Sequence, residues 1–133
     1  MVHPMRNGNA MRNTGFTLIE LLVVLAIVAL LSTLAMPRYF QSIDTAKETI
    51  LADNLRITRE TIDKFYGDTG RYPESLDELV DKKYLRSLPR DPIVESTSAW
   101  VLIPPDSGFK GKVYNIKSSA LGVTRNGVAF ADM

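Results

Sequence analysis

One carboxylate in this chain stands where a carboxylate is costly. Glu20 lies near the start of an aliphatic run from Phe16 to Met36, in which the other polar side chains are Thr17, Ser32 and Thr33. An acid inside a membrane-spanning helix costs about 2.5 to 3.5 kcal/mol on insertion scales, so Glu20 reads as a functional group awaiting a partner. The chemistry open to it is pairing with a cation brought into the same apolar surround. No catalytic constellation accompanies it. His3 is the only histidine and precedes the run, cysteine is absent, and no serine has a nucleophile-elbow or lysine-paired spacing. Asp77, Glu78 and Asp81 crowd one short predicted helix as surface and cap residues do, while Trp100 and Tyr114 fall in predicted strands as core or sheet residues. The chain reads as a non-enzyme.

The element that positions Glu20 is a helix long enough to cross a bilayer. The stretch from Phe16 to Met36, at 1.5 Å per residue, gives roughly 31 Å. Residues 1–15 hold His3, Arg6 and Arg12 and no acid, so the basic bias leaves the N-terminus in the cytoplasm and places the residues after Pro37 outside. A cleaved secretory signal would share the basic, apolar and small-residue pattern, ending near Thr33-Leu34-Ala35. An acid inside the run is foreign to such a signal, and a plain anchor leaves Glu20 unexplained. The 133 residues suffice for one domain, and 16 basic against 15 acidic side chains make no nucleic-acid surface. Without cysteine, stability must come from packing or assembly.

Beyond the run the helix is expected to continue, bent at Pro37, where one backbone donor is missing. Leu51, Leu55, Thr58, Ile62, Phe65 and Tyr66 recur at helical spacing, and Lys47, Asp53, Arg56, Glu60 and Asp63 fill the opposite face. Gly67 is the predicted stop, with Gly70 in the next turn. Ser75 and Glu78 have capping-box spacing, which predicts a short helix over Ser75–Lys82. Pro89, Pro92, Pro104 and Pro105 exclude further long helices and leave strands at Ala99–Ile103 and Lys112–Lys117, joined by a hairpin loop over 106–111. Val128–Phe130 is compatible with a third short strand.

The hexapeptide Gly15-Phe16-Thr17-Leu18-Ile19-Glu20, leading into Leu21-Leu22-Val23-Val24-Leu25, resembles the class III signal of type IV pilins and the related pseudopilins. The resemblance implies cleavage between Gly15 and Phe16 by a prepilin peptidase, methylation of the new Phe16 amine, and a helix packed at the centre of a filament. Glu20 would then meet the Phe16 ammonium of a neighbouring subunit, each charge removing the other's burial penalty. Such a pair would set the axial register of otherwise featureless aliphatic helices.

The segment Tyr66-Gly67-Asp68-Thr69-Gly70-Arg71-Tyr72-Pro73, with Leu76, Leu79 and Leu88-Pro89-Arg90-Asp91-Pro92, is similar to the major pseudopilins of type II secretion systems. Those residues shape the fold, with Arg71-Tyr72-Pro73 read as a capped turn around a packed tyrosine. That family commonly carries an aspartate-rich loop that binds calcium, and Ser118–Met133 departs from the pattern. Calcium takes six to eight oxygens, several of them carboxylates. Asn126 and Asp132 are the nearest equivalents, and Arg125 adds a repelling charge. The expectation is a loop without metal or other cofactor, closed by packing of Val128 and Phe130.

Together these readings give an α+β, pilin-like fold. Residues 1–15 form a leader, 16–37 a transmembrane and filament-core segment, and 38–133 a periplasmic domain that includes the rest of the long helix. The implied function is a structural subunit held in the inner membrane and stacked into a periplasmic filament that drives protein export. The implied partners are copies of itself, the prepilin peptidase, minor pseudopilins, and an assembly platform with its ATPase. A type IV pilin for adhesion, twitching or DNA uptake is the neighbouring alternative, and a monomeric anchored binding domain the alternative from another class. Met1, Met5 and Met11 all remain candidate starts.

Overall fold

The computed structural model describes residues 1–5, 8 and 15–133. Arg6, Arg12 and the candidate start Met11 lie outside the described residues. Along the chain run α1 (Leu18–Thr69), α2 (Leu76–Asp81), β1 (Val101–Ile103), β2 (Asn115–Lys117) and a 3-10 turn at Phe130–Asp132. β1 and β2 pair antiparallel, with Val101 opposite Lys117 and Ile103 opposite Asn115. This is the expected α+β arrangement of a long helix and a small sheet. Two compact units divide the chain, residues 1–39 and 40–133.

In the first unit every described side chain is exposed, including the aliphatic ones from Leu18 to Met36. Ser32 and Thr33 turn their hydroxyls back onto the carbonyls of Val28 and Ala29, at 2.7 and 2.9 Å. These two hydroxyls thereby need no partner outside the helix. Helical geometry runs on through Pro37.

The second unit has a conventional core. Leu51, Leu55, Thr58, Ile62 and Phe65 form the buried stripe of α1, at the alternating three- and four-residue steps read from the sequence. Against it pack Leu76 and Leu79 of α2, Trp100, Val113, Ile116, Ala120 and Phe130. Arg59, one position past Thr58, leaves the helix to join three segments. Its Nε donates to Asn115 Oδ1 at 2.7 Å, and its Nη2 donates to the main-chain oxygens of Ile116 and Met133 at 2.9 and 2.6 Å.

The irregular stretch between α2 and β1 is held by side chains rather than by ladders. Asn54 Nδ2 donates to Arg90 O at 2.7 Å, and the Trp100 indole donates to Pro89 O at 2.8 Å. Asp91, fully buried, accepts from the main-chain N–H of Ile93 and Val94 at 2.8 and 3.3 Å and from the Ser118 hydroxyl. A buried carboxylate survives where its oxygens are satisfied in this way.

Five local expectations need correction. α1 does not stop at Gly67: Gly70 adopts φ +74° and its N–H bonds Tyr66 O at 2.8 Å, so Gly70 is the left-handed cap. Tyr66 stacks on Tyr72, beyond that cap, with ring centres 4.5 Å apart. The second strand is half its expected length, because the N–H groups of Lys112 and Val113 both donate to Pro73 O at 3.0 Å instead of to a strand. The first strand begins at Val101 rather than Ala99. Val128–Phe130 forms no third strand, only a single bridge between Val123 and Ala129 before the 3-10 turn. Tyr114 is half exposed, outside β2, and meets Tyr72 edge-on at 5.3 Å.

α2 begins where its cap residue predicts, with Ser75 Oγ accepting from Glu78 N–H at 3.3 Å. The reciprocal half of the box is missing, because the Glu78 carboxylate accepts instead from Glu74 N–H at 2.8 Å and from the Arg71 guanidinium. That guanidinium holds Glu78 well below the usual carboxylate range, at about 2. The turn 71–73 is pinned from its other side by Gly111. At φ +105°, a Cβ on Gly111 would fall 2.1 Å from Tyr72 O, so only glycine fits.

Candidate functional site

The local structure at residues 15–20 arises from two side chains and the end of a helix. The first amides of a helix have no intrahelical acceptor. Thr17 and Glu20 supply a reciprocal pair: Glu20 N–H donates to Thr17 Oγ1 at 3.3 Å, and Thr17 N–H donates to Glu20 Oε2 at 3.0 Å. This is a capping box, and the negative charge of Glu20 also lies at the favoured end of the helix dipole. The first helical bond, Leu21 N–H to Thr17 O, measures 3.3 Å.

The waiting partner inferred for Glu20 is therefore accompanied by one inside its own chain. The Thr-x-x-Glu spacing is legible in the sequence, and Thr17 is the residue that attention to the acid alone passes over. Only one carboxylate oxygen is committed to the box; Oε1 has no partner among the described residues. Gly15 and Phe16 precede the helix outside any regular element, Phe16 is 85% exposed, and nothing comes within 4 Å of where a Gly15 Cβ would stand. Scission of the Gly15–Phe16 bond would remove no atom of the box. It would create an ammonium on Phe16, adjacent to Thr17.

α1 carries a segment long and apolar enough to cross a membrane. Its aliphatic surface in the first unit is exposed throughout, as the surface of an inner-membrane anchor is when it stands outside the bilayer.

The metal-ligand alternatives do not converge. No group of three or more His, Cys, Asp or Glu side chains that could hold a metal occurs among the described residues. Asn126 faces a groove with Thr45, Glu48 and Arg125, whereas Asp132 lies in the 3-10 turn. Asn126 and Asp132 offer one carboxylate between them, whereas calcium takes six to eight oxygens, several of them carboxylates. The expected apolar closure is half realised. Phe130 is buried in the core, but Val128 is 46% exposed.

Residues 10–36 match the family described as "Prokaryotic N-terminal methylation motif". The chain is 31% identical over 97 residues to the type II secretion system core protein G of Pseudomonas aeruginosa, an alignment covering 61% of this chain and 68% of that one. Its similarity to the protein of the same name from Aeromonas hydrophila is 29% over 97 residues, with the same coverage. The type IV major pilin protein PilA of Myxococcus xanthus is 32% identical over 68 residues, covering 51% of this chain and 31% of that one. No solved structure matches this chain significantly. An alignment with core protein G that runs far past the N-terminal motif and into the packed second unit carries the assignment: this chain belongs to the type II secretion system core protein G family, the major pseudopilins.

Proposed function

We propose that the chain is a structural subunit of a type II secretion pseudopilus. It is cut after Gly15 by a prepilin peptidase, methylated on Phe16, and stored in the inner membrane with the N-terminus cytoplasmic and residues 38–133 periplasmic. From there it is stacked into a periplasmic filament that drives protein export across the outer membrane. Copies of itself, minor pseudopilins, the prepilin peptidase, an assembly platform and an ATPase are its partners, and the peptidase, the platform and the ATPase supply the catalysis and the work. Residues 16–37 form the filament core, bent at Pro37.

The observation that carries this reading is a long, exposed apolar helix surface headed by a capped acid whose second oxygen has no partner among the described residues. The capping box keeps Glu20 at the helix end. Oε1 can then accept the Phe16 ammonium of the neighbouring subunit without breaking the box. Burial of the pair in an apolar filament core favours keeping both charges together, since separating them leaves an unpaired charge in a low dielectric. Each helix thereby gains one polar contact that fixes its axial position against the next.

The type IV pilin reading has one observation in its favour, the 32% identity to a major pilin, but that match covers 31% of the pilin. Deletion of the gene separates the two. Loss of exoprotein release with twitching and transformation intact supports the pseudopilus, and intact secretion sinks it. Mass spectrometry of the membrane-extracted protein tests processing directly, by a new N-terminus at Phe16 bearing a methyl group.

A further inference from the structure

The segment from Gly122 to Phe130 folds back on itself, is anchored at its end by Phe130 in the core, and is hydrogen-bonded to α1 through Arg125. Thr124 N–H donates to Val128 O at 2.7 Å, Gly127 N–H to Thr124 O at 2.9 Å, and Val128 N–H to Thr124 Oγ1 at 3.2 Å. Phe130 N–H donates to Gly122 O at 3.2 Å, which closes the loop at its base. These bonds shape the loop but do not join it to the helix. Arg125 does, twice: its main-chain N–H donates to Glu48 Oε1 at 2.9 Å, and its Nη1 donates to Thr45 Oγ1 at 2.6 Å. Thr45 can accept because its own proton goes to Gln41 O at 2.9 Å. Asp44 and Glu48, one helical turn apart, line the same groove as Arg125.

We propose that Arg125 is a latch that holds this loop against α1, with a guanidinium in the role that the family resemblance gives to a calcium ion, and that closure is therefore independent of calcium. A divalent cation gathers a loop by drawing carboxylates to one point. Arg125 reaches the same end with two donors, its guanidinium to the Thr45 hydroxyl and its main-chain N–H to the Glu48 carboxylate, and arginine suits the first because it stays charged and presents its donors in a rigid plane. A divalent cation brought to Asp44 and Glu48 in this groove would stand near the Arg125 guanidinium, and the two cations would repel. The latch does not depend on which filament the chain builds, so it can fail while the pseudopilus reading stands, and the reverse.

The test uses the full processed chain in detergent micelles, followed by amide hydrogen exchange and thermal melting in calcium chloride and in chelator. Wild type should give the same melting temperature and the same exchange over 122–130 in both. Slower exchange or a clear rise in melting temperature with calcium would overturn the proposal. Arg125→Ala should speed exchange over 124–128 roughly five-fold, the scale of a small exposed hydrogen-bond network, and leave the amides of 55–65 unchanged. Thr45→Val, which keeps the arginine and removes its acceptor, should speed the same amides to a lesser degree. If neither variant alters exchange there, loop closure does not depend on Arg125 and the latch is refuted.

Discussion

α1 holds two apolar regions that are built on different plans. Between Leu18 and Met36 the aliphatic residues surround the helix and all are exposed; between Leu51 and Phe65 they occupy one stripe whose side chains are buried. The first region has no polar face and no buried one, so its surface is accounted for by something external, a bilayer or other copies. The second has a polar back, and its partners are α2, Trp100, Val113, Ile116 and Phe130. Continuity of a helix thus says little about what stabilises it. The distribution of apolar residues around the axis decides whether the partner is internal or external.

The contrast is broken most sharply by truncating one residue in each region. Phe65→Ala should destabilise the second unit by about 3 to 5 kcal/mol, since the ring is fully buried and leaves a cavity. Leu25→Ala, in the exposed region, should leave its melting temperature unchanged; chemical denaturation of both variants in detergent checks this. Equal destabilisation would show that the two regions share one stabilising core.

Gly111→Ala should cost about 3 kcal/mol, because the new methyl meets the Tyr72 carbonyl and the left-handed backbone resists a side chain. Thermal melting reads this, and an unchanged midpoint would show that the 110–113 segment can move away from Pro73.

Next in size is the Arg71–Glu78 pair. Arg71 lowers the Glu78 carboxyl from an ordinary 4.5 to about 2, chiefly through the guanidinium hydrogen bonds. A depressed carboxylate stabilises the folded state fully above its unfolded pKa. That contribution is lost as pH falls from about 4.5 to about 2. With side chains 32% and 17% exposed, the pair is partly screened, and Glu78→Gln should cost about 2 kcal/mol at neutral pH. The variant should also show a shallower loss of stability over that acid range, measured by denaturation at stepped pH.

The smallest effect on folding belongs to the capping box. Thr17→Ala should weaken the head of α1 by about 1 kcal/mol, seen as faster exchange of the Glu20 amide, without touching the second unit. Glu20→Ala should have the same small effect on the monomer and abolish filament recovery in sheared cell fractions. Normal assembly with normal processing would remove Glu20 from the register role.

Much of the molecule is readable from residue order. The stripe from Leu51 to Phe65, the Ser75 cap, the burial of Trp100 and the apolar span all come from periodicity or capping, which act over a few residues. The features that are not readable depend on contacts distant in sequence or on competition for one acceptor. Glu78 completes no box because Arg71 competes for its oxygens, and Lys112 and Val113 leave their strand because Pro73 O lies within reach. Arg59 sits on the flank of the stripe and looks like an ordinary surface cation until β2 and Met133 arrive beside it. Thr17 is the exception, a local signal whose three-residue spacing to Glu20 is visible throughout.

By itself the amino-acid order determined the family, the α+β plan, the anchor and the anomaly at Glu20, because hydrophobic periodicity, helix caps and a costly acid are properties of neighbouring residues. Tertiary structure alone decided where α1 ends, how short the sheet is, which residues bind Asp91, and that the loop over 122–130 is tied to the helix through Arg125. Each of these turns on a choice among competing hydrogen-bond partners. Glu48 and Arg125 become partners only once the chain has brought them together.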